Sequence, residues 1–316
     1  MIQLRGTRDA LPRFMTPPSK LPQPPQQLAR AIAYMMAMGA IWGLQISLAK
    51  IGSNHQIDPV AWMVFVNGVG APALLIIAAW RGTDPRVLLP HGRYALIAGI
   101  TAIAIPNTLV VLVMGYLPAG LAAVLNTLSP LMTYAMALGF KMAPLQGLRI
   151  AGLGFGVAGT LMVLLPKTSL PDPASAPWVL ICLLIPLFYS ISNIYIARQR
   201  PAGIDSIALA GAMQAGSFAC LLPIALVRGI HIPFPPSHLG DWALLGHAAF
   251  SWLGALLFFE VMRLAGPVFF SQTGFLVTLW GVFWGWLFFG ESHSVWVWAA
   301  MVSIFTGLGL VPRASR

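Results

Sequence analysis

Charged residues are scarce along the whole of this 316-residue chain. It holds 18 lysines and arginines and 8 aspartates and glutamates, so that 8% of its residues are charged while 58% are hydrophobic. A soluble domain normally has about 25% charged residues. Soluble packing over the full length is therefore excluded, and the composition predicts an all-α integral membrane protein.

Sequence patterns that would indicate catalysis are also lacking. There is no P-loop, no G-x-S-x-G and no metal-ligand spacing of Cys and His. Cys182 and Cys220 both fall within apolar runs, so they imply no disulfide framework. We expect no catalytic residue, no cofactor and no metal. An integral-membrane lipid-modifying enzyme and a non-transporting membrane scaffold are the alternatives that stay open.

Long uncharged runs are what the sequence does contain. A membrane-spanning helix needs ~20 apolar residues, within a usual range of ~17–25. The run 94–140 is long enough for two such helices, and GYLPAG (115–120) supplies the Gly and Pro of a turn between them. Ten spans are therefore predicted, from the runs 31–49, 59–80, 94–140, 150–166, 173–197, 206–227, 242–259, 264–290 and 292–312.

Basic residues are distributed unequally between the two sides of the predicted membrane. With both termini in the cytoplasm, 15 lysines and arginines fall on the inner side, and only Lys50, Lys167 and Arg228 fall on the outer side. This asymmetry follows the positive-inside rule, which explains the net charge of +10 without nucleic acid. We expect a multi-pass protein of the cell membrane whose polar, Pro-rich residues 1–30 form a disordered cytoplasmic tail.

The two halves of the chain resemble each other weakly. A shift of 148 positions lays residues 117–143 on residues 265–291, and a shift of 147–148 lays WGLQISLAK (42–50) near YSISNIYIAR (189–198). Five spans in each half make the second repeat inverted, with repeats at 31–166 and 176–312. Inverted repeats are typical of secondary transporters, whose substrate site lies near the midplane between the halves.

These segments carry a resemblance to a known family. AIWGLQISLAK (40–50), LPAGLAAVLNTLSPLMTYAM (117–136) and LFFGE (287–291) together resemble the EamA-type families of the drug/metabolite transporter superfamily. The resemblance implies a membrane transporter of small molecules. The chain departs from the family pattern in two places: Met142-Ala143 stands where Gly-Glu usually closes the fourth span, and Thr278 stands where the ninth usually has Pro.

Polar and aromatic side chains inside the apolar runs are the candidate site residues. A polar side chain is costly against lipid, so it faces either a partner helix or a cavity. For each of them an interhelical contact is the structural alternative to a cavity wall. The candidates for the cavity are Trp42, Gln45, Asn107, Asn126, Tyr189, Asn193, Gln272 and Trp280.

Three ionisable residues are candidates for gating or coupling. Lys50 lies at the outer end of span one, where snorkelling to the interface is its simpler role. His247 could titrate near neutral pH or hold a structural hydrogen bond. Glu260 lies three residues before Arg263, which favours a local ion pair. A further set near the span ends predicts an interfacial aromatic belt: Trp62, Trp80, Trp178, Trp242, Trp296 and Trp298.

The sequence thus predicts a secondary carrier working by alternating access. No lysine or arginine lies at mid-depth of a span, so we expect a small neutral, zwitterionic or cationic metabolite, amino-acid-like, and export as the direction. The expected partners are this small-molecule substrate and the lipid bilayer. The sequence leaves the oligomeric state open.

Overall fold

The structure, a computed structural model, describes residues 25–142, 145–164, 173–230, 236–270 and 273–313. These residues form α-helices joined by short turns, and no strand is found in them. The helices are α1 Pro25–Asn54, α2 Pro59–Trp80, α3 Gly92–Gly99, α4 Ile105–Val113, α5 Ala119–Asn126, α6 Ser129–Gly139, α7 Gly147–Leu164, α8 Ala176–Gln199, α9 Ser206–Val227, α10 Leu239–Phe270, α11 Thr273–Phe289 and α12 Val295–Arg313.

Several of these helices are suited to crossing a membrane. Seven described helical segments are long and apolar enough, and three shorter apolar helices cover 150–162, 273–289 and 295–307. The chain is therefore a multi-pass membrane protein, and the predicted total of ten spans stays a prediction. Helix α1 begins at Pro25, so residues 25–30 of the predicted tail are helical, and the rest of the tail lies outside the described residues.

The long apolar run 94–140 folds back on itself as predicted. Helix α3 continues through one π-helical turn, Ile100–Ala104, into α4, which ends at Val113. Pro118 then precedes the first residue of α5. A second break separates α5 from α6 at Thr127 and Leu128, because Pro130 near the start of α6 has no N–H to continue the helix.

Self-complementary contacts relate the two halves of the molecule. On α2 and α9, Asn67 Nδ2 donates to Ser217 Oγ at 3.0 Å, while Gln214 lies against Gly70. Gln214 is 147 positions after Asn67, and Ser217 is 147 after Gly70. Each contact is thus the copy of the other, which is the mark of a twofold relation.

A second crossing repeats this relation between α7 and α12. A Cβ atom on Gly152 would lie 2.7 Å from the carbonyl oxygen of Gly307, and one on Gly159 would lie 3.0 Å from that of Ala300. Ala300 and Gly307 follow Gly152 and Gly159 by 148 positions. In both crossings the residue numbers rise on one helix as they fall on the other, so counterpart helices are antiparallel. The repeat is therefore inverted.

The remaining packing places α1 and α8 on either side of a central space. Helix α1 packs against α10 and α11, and its counterpart α8 packs against α4 and α6. Helix α11 in turn contacts α5, where a Cβ atom on Gly281 would lie 2.6 Å from that of Ala123. This arrangement surrounds the middle of the molecule with segments from both halves.

Candidate functional site

A cavity of about 360 Å³ lies in the middle of the molecule between the two halves. This volume falls in the range of small-molecule sites, roughly 300–1,000 Å³. Five amide side chains, two hydroxyl-bearing side chains and one imidazole take part in a wall that is otherwise apolar. The lining residues that carry the argument below are Trp42, Gln45, Asn67, Asn107, Asn126, Tyr189, Gln214, His247 and Ser251.

A second cavity of about 460 Å³ adjoins the first. Trp42, Asn126 and Tyr189 line both cavities, so the two are continuous. Pro130 and Asn193 in the wall of the second cavity are exposed, and it is therefore open.

The molecule has two ends, which we name by a basic residue at each. The Lys50 end holds the last turn of α1, the start of α5 and the end of α11, because Glu291 contacts both Lys50 and the N–H of Ala119. The Arg198 end holds the end of α8 and of α6, where Arg198 meets Phe140. Helix α11 ends at the Lys50 end, so its first residues lie towards the Arg198 end. The second cavity is lined by these first residues, Thr273 and Gly274, and therefore opens towards the Arg198 end.

The structure brings most of the predicted site residues together. Of the eight cavity candidates, Trp42, Gln45, Asn107, Asn126 and Tyr189 line the central cavity. His247, predicted for gating or coupling, lines it too. Asn193 lines the second cavity only, and its Nδ2 donates to Thr133 Oγ1 at 3.2 Å. Gln272 lies outside the described residues.

Trp280 takes a different position, in the wall of neither cavity. Its ring stacks on Trp284 with centroids 5.6 Å apart, and its Cβ lies where Gly43 of α1 leaves room for α11. Trp284 Nε1 donates to the Ala40 carbonyl at 3.1 Å. The two tryptophans thus belong to the α1–α11 packing contact.

A hydrogen-bonded pair joins α4 to α8 in the cavity wall. The Tyr189 hydroxyl donates to Asn107 Oδ1 at 2.9 Å, and Asn107 Nδ2 donates to the Ile103 carbonyl at 3.0 Å. The Ile103 carbonyl lies in the π-helical turn just before Pro106, where the helical bonding is irregular. Asn107 therefore binds a carbonyl of the π-helical turn and joins it to Tyr189 of the opposite half.

Asn67 and Gln214 are lining residues that the sequence analysis did not single out. Asn67 is 1% exposed and Gln214 is 7% exposed. Each is a lone amide in a long apolar run, which is the same signal that identified Asn107. Their place in a repeated helix pair, 147 positions apart, could have been found from the repeat itself.

His247 is buried beside Trp62. Their rings meet edge to face with centroids 5.5 Å apart. Trp62 is fully buried and also fills the space beside Gly52, so its predicted place in the interfacial belt is wrong. The sequence position near a span end did not reveal that α10 covers this side of α2. Trp80, Trp242, Trp296 and Trp298 are exposed, as a lipid-facing belt requires.

An ion pair between the halves closes the Lys50 end. Lys50 Nζ donates to Glu291 Oε1, and the Lys50 ammonium lies 4.8 Å from the centre of the Phe289 ring. The same carboxylate accepts from the N–H groups of Ala119 at 2.7 Å and Gly120 at 3.1 Å. Lys50 is therefore bound within the protein at this end. Snorkelling of its ammonium to the interface, the simpler role given above, does not include such a contact.

His293 is the third ionisable group of this closure. Its Nε2 lies 3.7 Å from Glu291 Oε2, and its side chain is 5% exposed. Burial lowers the pKa of His293, and Lys50 adds to this, while the Glu291 carboxylate opposes it. The imidazole is therefore held in its neutral form more strongly than an exposed histidine.

The Arg198 end has the counterpart of this arrangement without the acid. Arg198 follows Lys50 by 148 positions, lies 5.1 Å from the centre of the Phe140 ring, and donates to the Phe140 carbonyl at 3.4 Å. Ala143 stands in the sequence where Glu291 stands in the second half. Arg198 therefore has no carboxylate at the position that binds Lys50 at the other end.

Glu260 forms the local contact that its spacing favoured. Its carboxylate accepts from Arg263 Nη2 at 2.7 Å and from Nε at 3.1 Å. It lines neither cavity, so the structure gives it no part in the central site.

The chemistry that this site offers is recognition by hydrogen bonds. Within the described parts of the chain, no group of three or more His, Cys, Asp or Glu side chains could hold a metal ion. The central wall contributes amides, hydroxyls, one imidazole and flat apolar surfaces. Amides and hydroxyls both donate and accept hydrogen bonds.

Comparison with known proteins agrees with this architecture. The sequence profile of the EamA-like transporter family matches residues 29–165 and again residues 176–312. A solved crystal structure is similar in fold, with a TM-score of 0.58 over 91% of this chain and 99% of that chain. Its sequence is 17% identical, so the likeness concerns the fold alone. No curated protein matches the sequence of this chain.

Proposed function

Since this chain belongs to the EamA-like transporter family, we propose that it is a secondary transporter that carries a small neutral, zwitterionic or cationic solute through the central cavity. The observation that carries the proposal is a polar cavity between two inverted repeats, closed at the Lys50 end and open towards the Arg198 end. A carrier of this architecture exposes one site to either side in turn.

Alternating access is supported by the paired ends. Lys50 lies against Phe289 at the closed end, and Arg198, the counterpart of Lys50, lies against Phe140 at the end that is open. In an inverted repeat, the closed and open ends exchange when the two halves exchange their conformations. The second conformation would then bring Arg198 and its surroundings into a closed packing.

The orientation that we propose follows the basic residues. With ten spans and both termini in the cytoplasm, the Lys50 end faces outwards and the described conformation faces the cytoplasm. An exporter takes up its substrate in this conformation, so we propose export across the cell membrane.

The orientation is tested by labelling single cysteines on intact cells. Asn54→Cys, at the last residue of α1, should react with a membrane-impermeant maleimide added outside, and Arg86→Cys should react only after the membrane is permeabilised. Both positions are exposed, so a difference in labelling reports the side of the membrane. The opposite pattern would reverse the proposed orientation.

Transport is tested with the purified full chain in proteoliposomes. The vesicles are loaded with labelled amino acids and amines, without ATP, and efflux is compared with that from protein-free vesicles. We expect at least one solute to leave faster when the protein is present. If no solute of a complete metabolite extract moves, the transporter assignment fails for this chain.

A further inference from the structure

Trp42 and Tyr189 occupy corresponding positions in the two repeats. Tyr189 follows Trp42 by 147 positions, the same shift that relates Gln214 of α9 to Asn67 of α2. Both side chains are partly exposed, and both line the central cavity and the second cavity. Because a twofold relation exchanges the two positions, the two rings lie on opposite sides of its axis. The central space is therefore bordered by one aromatic ring from each half.

Each of these rings makes a close contact with the opposite half. A Cβ atom on Gly254 of α10 would lie 2.5 Å from Trp42 Nε1 and 3.0 Å from Trp42 Cδ1, so the glycine leaves room for this edge of the indole. The Tyr189 hydroxyl donates to Asn107 Oδ1 of α4 at 2.9 Å. Gly254 follows Asn107 by 147 positions. The two contacts are therefore made at corresponding positions, one by close packing and the other by a hydrogen bond.

Further packing leaves the Trp42 ring little freedom to move. Trp42 packs against the buried cluster of Met35, Met38 and Val261. The next residue, Gly43, lies so close to α11 that a Cβ atom there would be 2.8 Å from a backbone nitrogen. Because protein interiors are close-packed, a methyl group added at position 254 would displace the indole. The glycine at this position therefore sets the place of the Trp42 ring in the cavity wall.

The wall around the two rings suits a flat apolar group. Aromatic rings prefer offset-stacked or edge-to-face contacts with one another, and a saturated ring has no π-system for such contacts. Gln45 lies three residues after Trp42 on the same side of α1, and its amide can donate to or accept from the polar part of a solute. The apolar side chains that complete the central wall are Ile46, Met63, Val66, Ile103, Val110 and Val277.

From these contacts we propose that the transporter selects a solute with a planar ring, which binds between Trp42 and Tyr189, and that Gly254 is the positioning residue for Trp42. Side chains that are already held in place lose little conformational freedom when a solute binds, which favours binding. The inference rests on the proposed transport function and names the class of solute that the site selects.

The test uses pairs of probes that differ only in the ring, which is a flat phenyl or a puckered cyclohexyl group. The zwitterionic pair is phenylalanine and cyclohexylalanine, the cationic pair is 2-phenylethylamine and 2-cyclohexylethylamine, and the neutral pair is 2-phenylethanol and 2-cyclohexylethanol. Binding to the full-length protein in lipid nanodiscs is measured by isothermal titration calorimetry at pH 7. The signal of nanodiscs without protein is subtracted.

In each pair that binds, we expect the phenyl member to bind about threefold more tightly than the cyclohexyl member, or better. Burial of apolar surface alone predicts the reverse order, because the cyclohexyl group has more of this surface. Equal or tighter binding of the cyclohexyl members, or no binding of any phenyl member, would overturn the proposal.

Substitutions at Trp42 and Gly254 assign the preference to this ring. Trp42→Leu should remove the preference for the phenyl member, while the cyclohexyl member still binds. Gly254→Ala should lower the preference by displacing the indole, and it should change nothing further when Trp42→Leu is already present. A merely structural effect of Gly254→Ala would weaken both members of a pair equally and would persist in the Trp42→Leu protein.

The matched control is Gly246→Ala on the same helix. A Cβ atom at this position would lie 3.7 Å from Leu48 Cδ1, which is an ordinary contact, so the preference should equal that of the parent protein. If Gly254→Ala does not fold, Trp42→Leu decides, since Leu suits a membrane helix. An unchanged preference in Trp42→Leu would overturn the proposal, and an unchanged preference in folded Gly254→Ala would overturn the positioning role.

The same pairs in the vesicle assay separate this inference from the transport proposal. A protein that moves solutes but does not prefer the phenyl members keeps its transport function and loses the proposed site for a planar ring. A protein that prefers the phenyl members in binding but moves no solute keeps the site and loses the transport function.

Discussion

Lys50 and Glu291 form an ion pair between the two halves of the molecule, across 241 positions of sequence. The Glu291 side chain is 7% exposed and that of Lys50 is 17% exposed. Glu291 also binds two N–H groups at the start of α5. The pair therefore joins α1, α5 and the end of α11, and we infer that it stabilises the conformation in which this end is closed.

We predict that Glu291→Ala lowers the stability of the closed conformation. The change leaves a partly buried ammonium and two N–H groups without their acceptor, and breaking a fully buried pair from one side costs about 3 kcal/mol, which is an upper bound here. The expected result is a lower Tm of the protein in detergent. Maleimide labelling of Leu117→Cys is a second readout, because this buried position reacts only when the Lys50 end opens. Cys182 and Cys220 are replaced by Ala for this measurement.

The matched control for this variant is Glu260→Ala. It removes an acid from an ion pair that is exposed and local, and such pairs contribute little to stability. The Tm and the labelling of Leu117→Cys should stay close to those of the parent protein. Equal effects of Glu260→Ala and Glu291→Ala would show that the Lys50 pair does not hold this end closed.

Acid should open the Lys50 end through His293. The pKa of His293 lies below its ordinary value of 6.5 in the closed form, because of burial and Lys50, with Glu291 opposing. An opened end would hydrate the ring and return its pKa towards 6.5, so the open form binds more protons. By linkage, closure is favoured above about pH 6.5 and loses stability as the pH falls towards the lowered pKa.

The measurement is the rate of labelling of Leu117→Cys in nanodiscs between pH 7.5 and pH 5, corrected for the reactivity of a small thiol. We expect relative labelling to rise as the pH falls, and His293→Asn to flatten the profile. Because Lys50 and Glu291 are the charged groups facing His293, Glu291→Gln should be measured beside it. A profile that His293→Asn leaves unchanged would place the titrating group elsewhere.

The sequence predicted the helical repeat well because its signals are local or periodic. Apolar runs, the turn at GYLPAG and the 148-residue shift depend on composition and spacing alone. The place of Trp280 was not predictable in this way, since a helix has several faces and only packing against Gly43 decides which one α11 presents to α1. The Lys50–Glu291 pair was missed for a similar reason, because it joins residues that approach only after both halves have packed.

Glycine positions on α7 should separate packing from helix propensity. A Cβ atom on Gly152 would lie 2.7 Å from the Gly307 carbonyl oxygen, whereas nothing lies within 4 Å of one on Gly154. Gly152→Ala should therefore destabilise the α7–α12 crossing by about 1–3 kcal/mol. Gly154→Ala should be neutral or stabilising by up to about 1 kcal/mol, since Ala favours the helix. The Tm values of the two variants are measured in the same detergent. A lower Tm for Gly154→Ala than for Gly152→Ala would contradict the explanation by helix packing.

Gln45 should matter more for transport than Asn193, although both lie among polar side chains. Gln45 is in the wall of the central cavity, while Asn193 is exposed in the second cavity and already donates to Thr133. Gln45→Leu should lower transport about tenfold, which corresponds to losing one substrate hydrogen bond of about 1.4 kcal/mol. Asn193→Leu should lower it less.

Both variants keep a residue that suits a membrane helix, so folding and insertion should be preserved. Transport rates in proteoliposomes are compared at equal reconstituted protein, with Thr306→Val as the control outside both cavities. If Gln45→Leu transports normally while Asn193→Leu does not, the solute is recognised near the open mouth. The solute would then pass through the central cavity without a hydrogen bond to Gln45 that affects the transport rate.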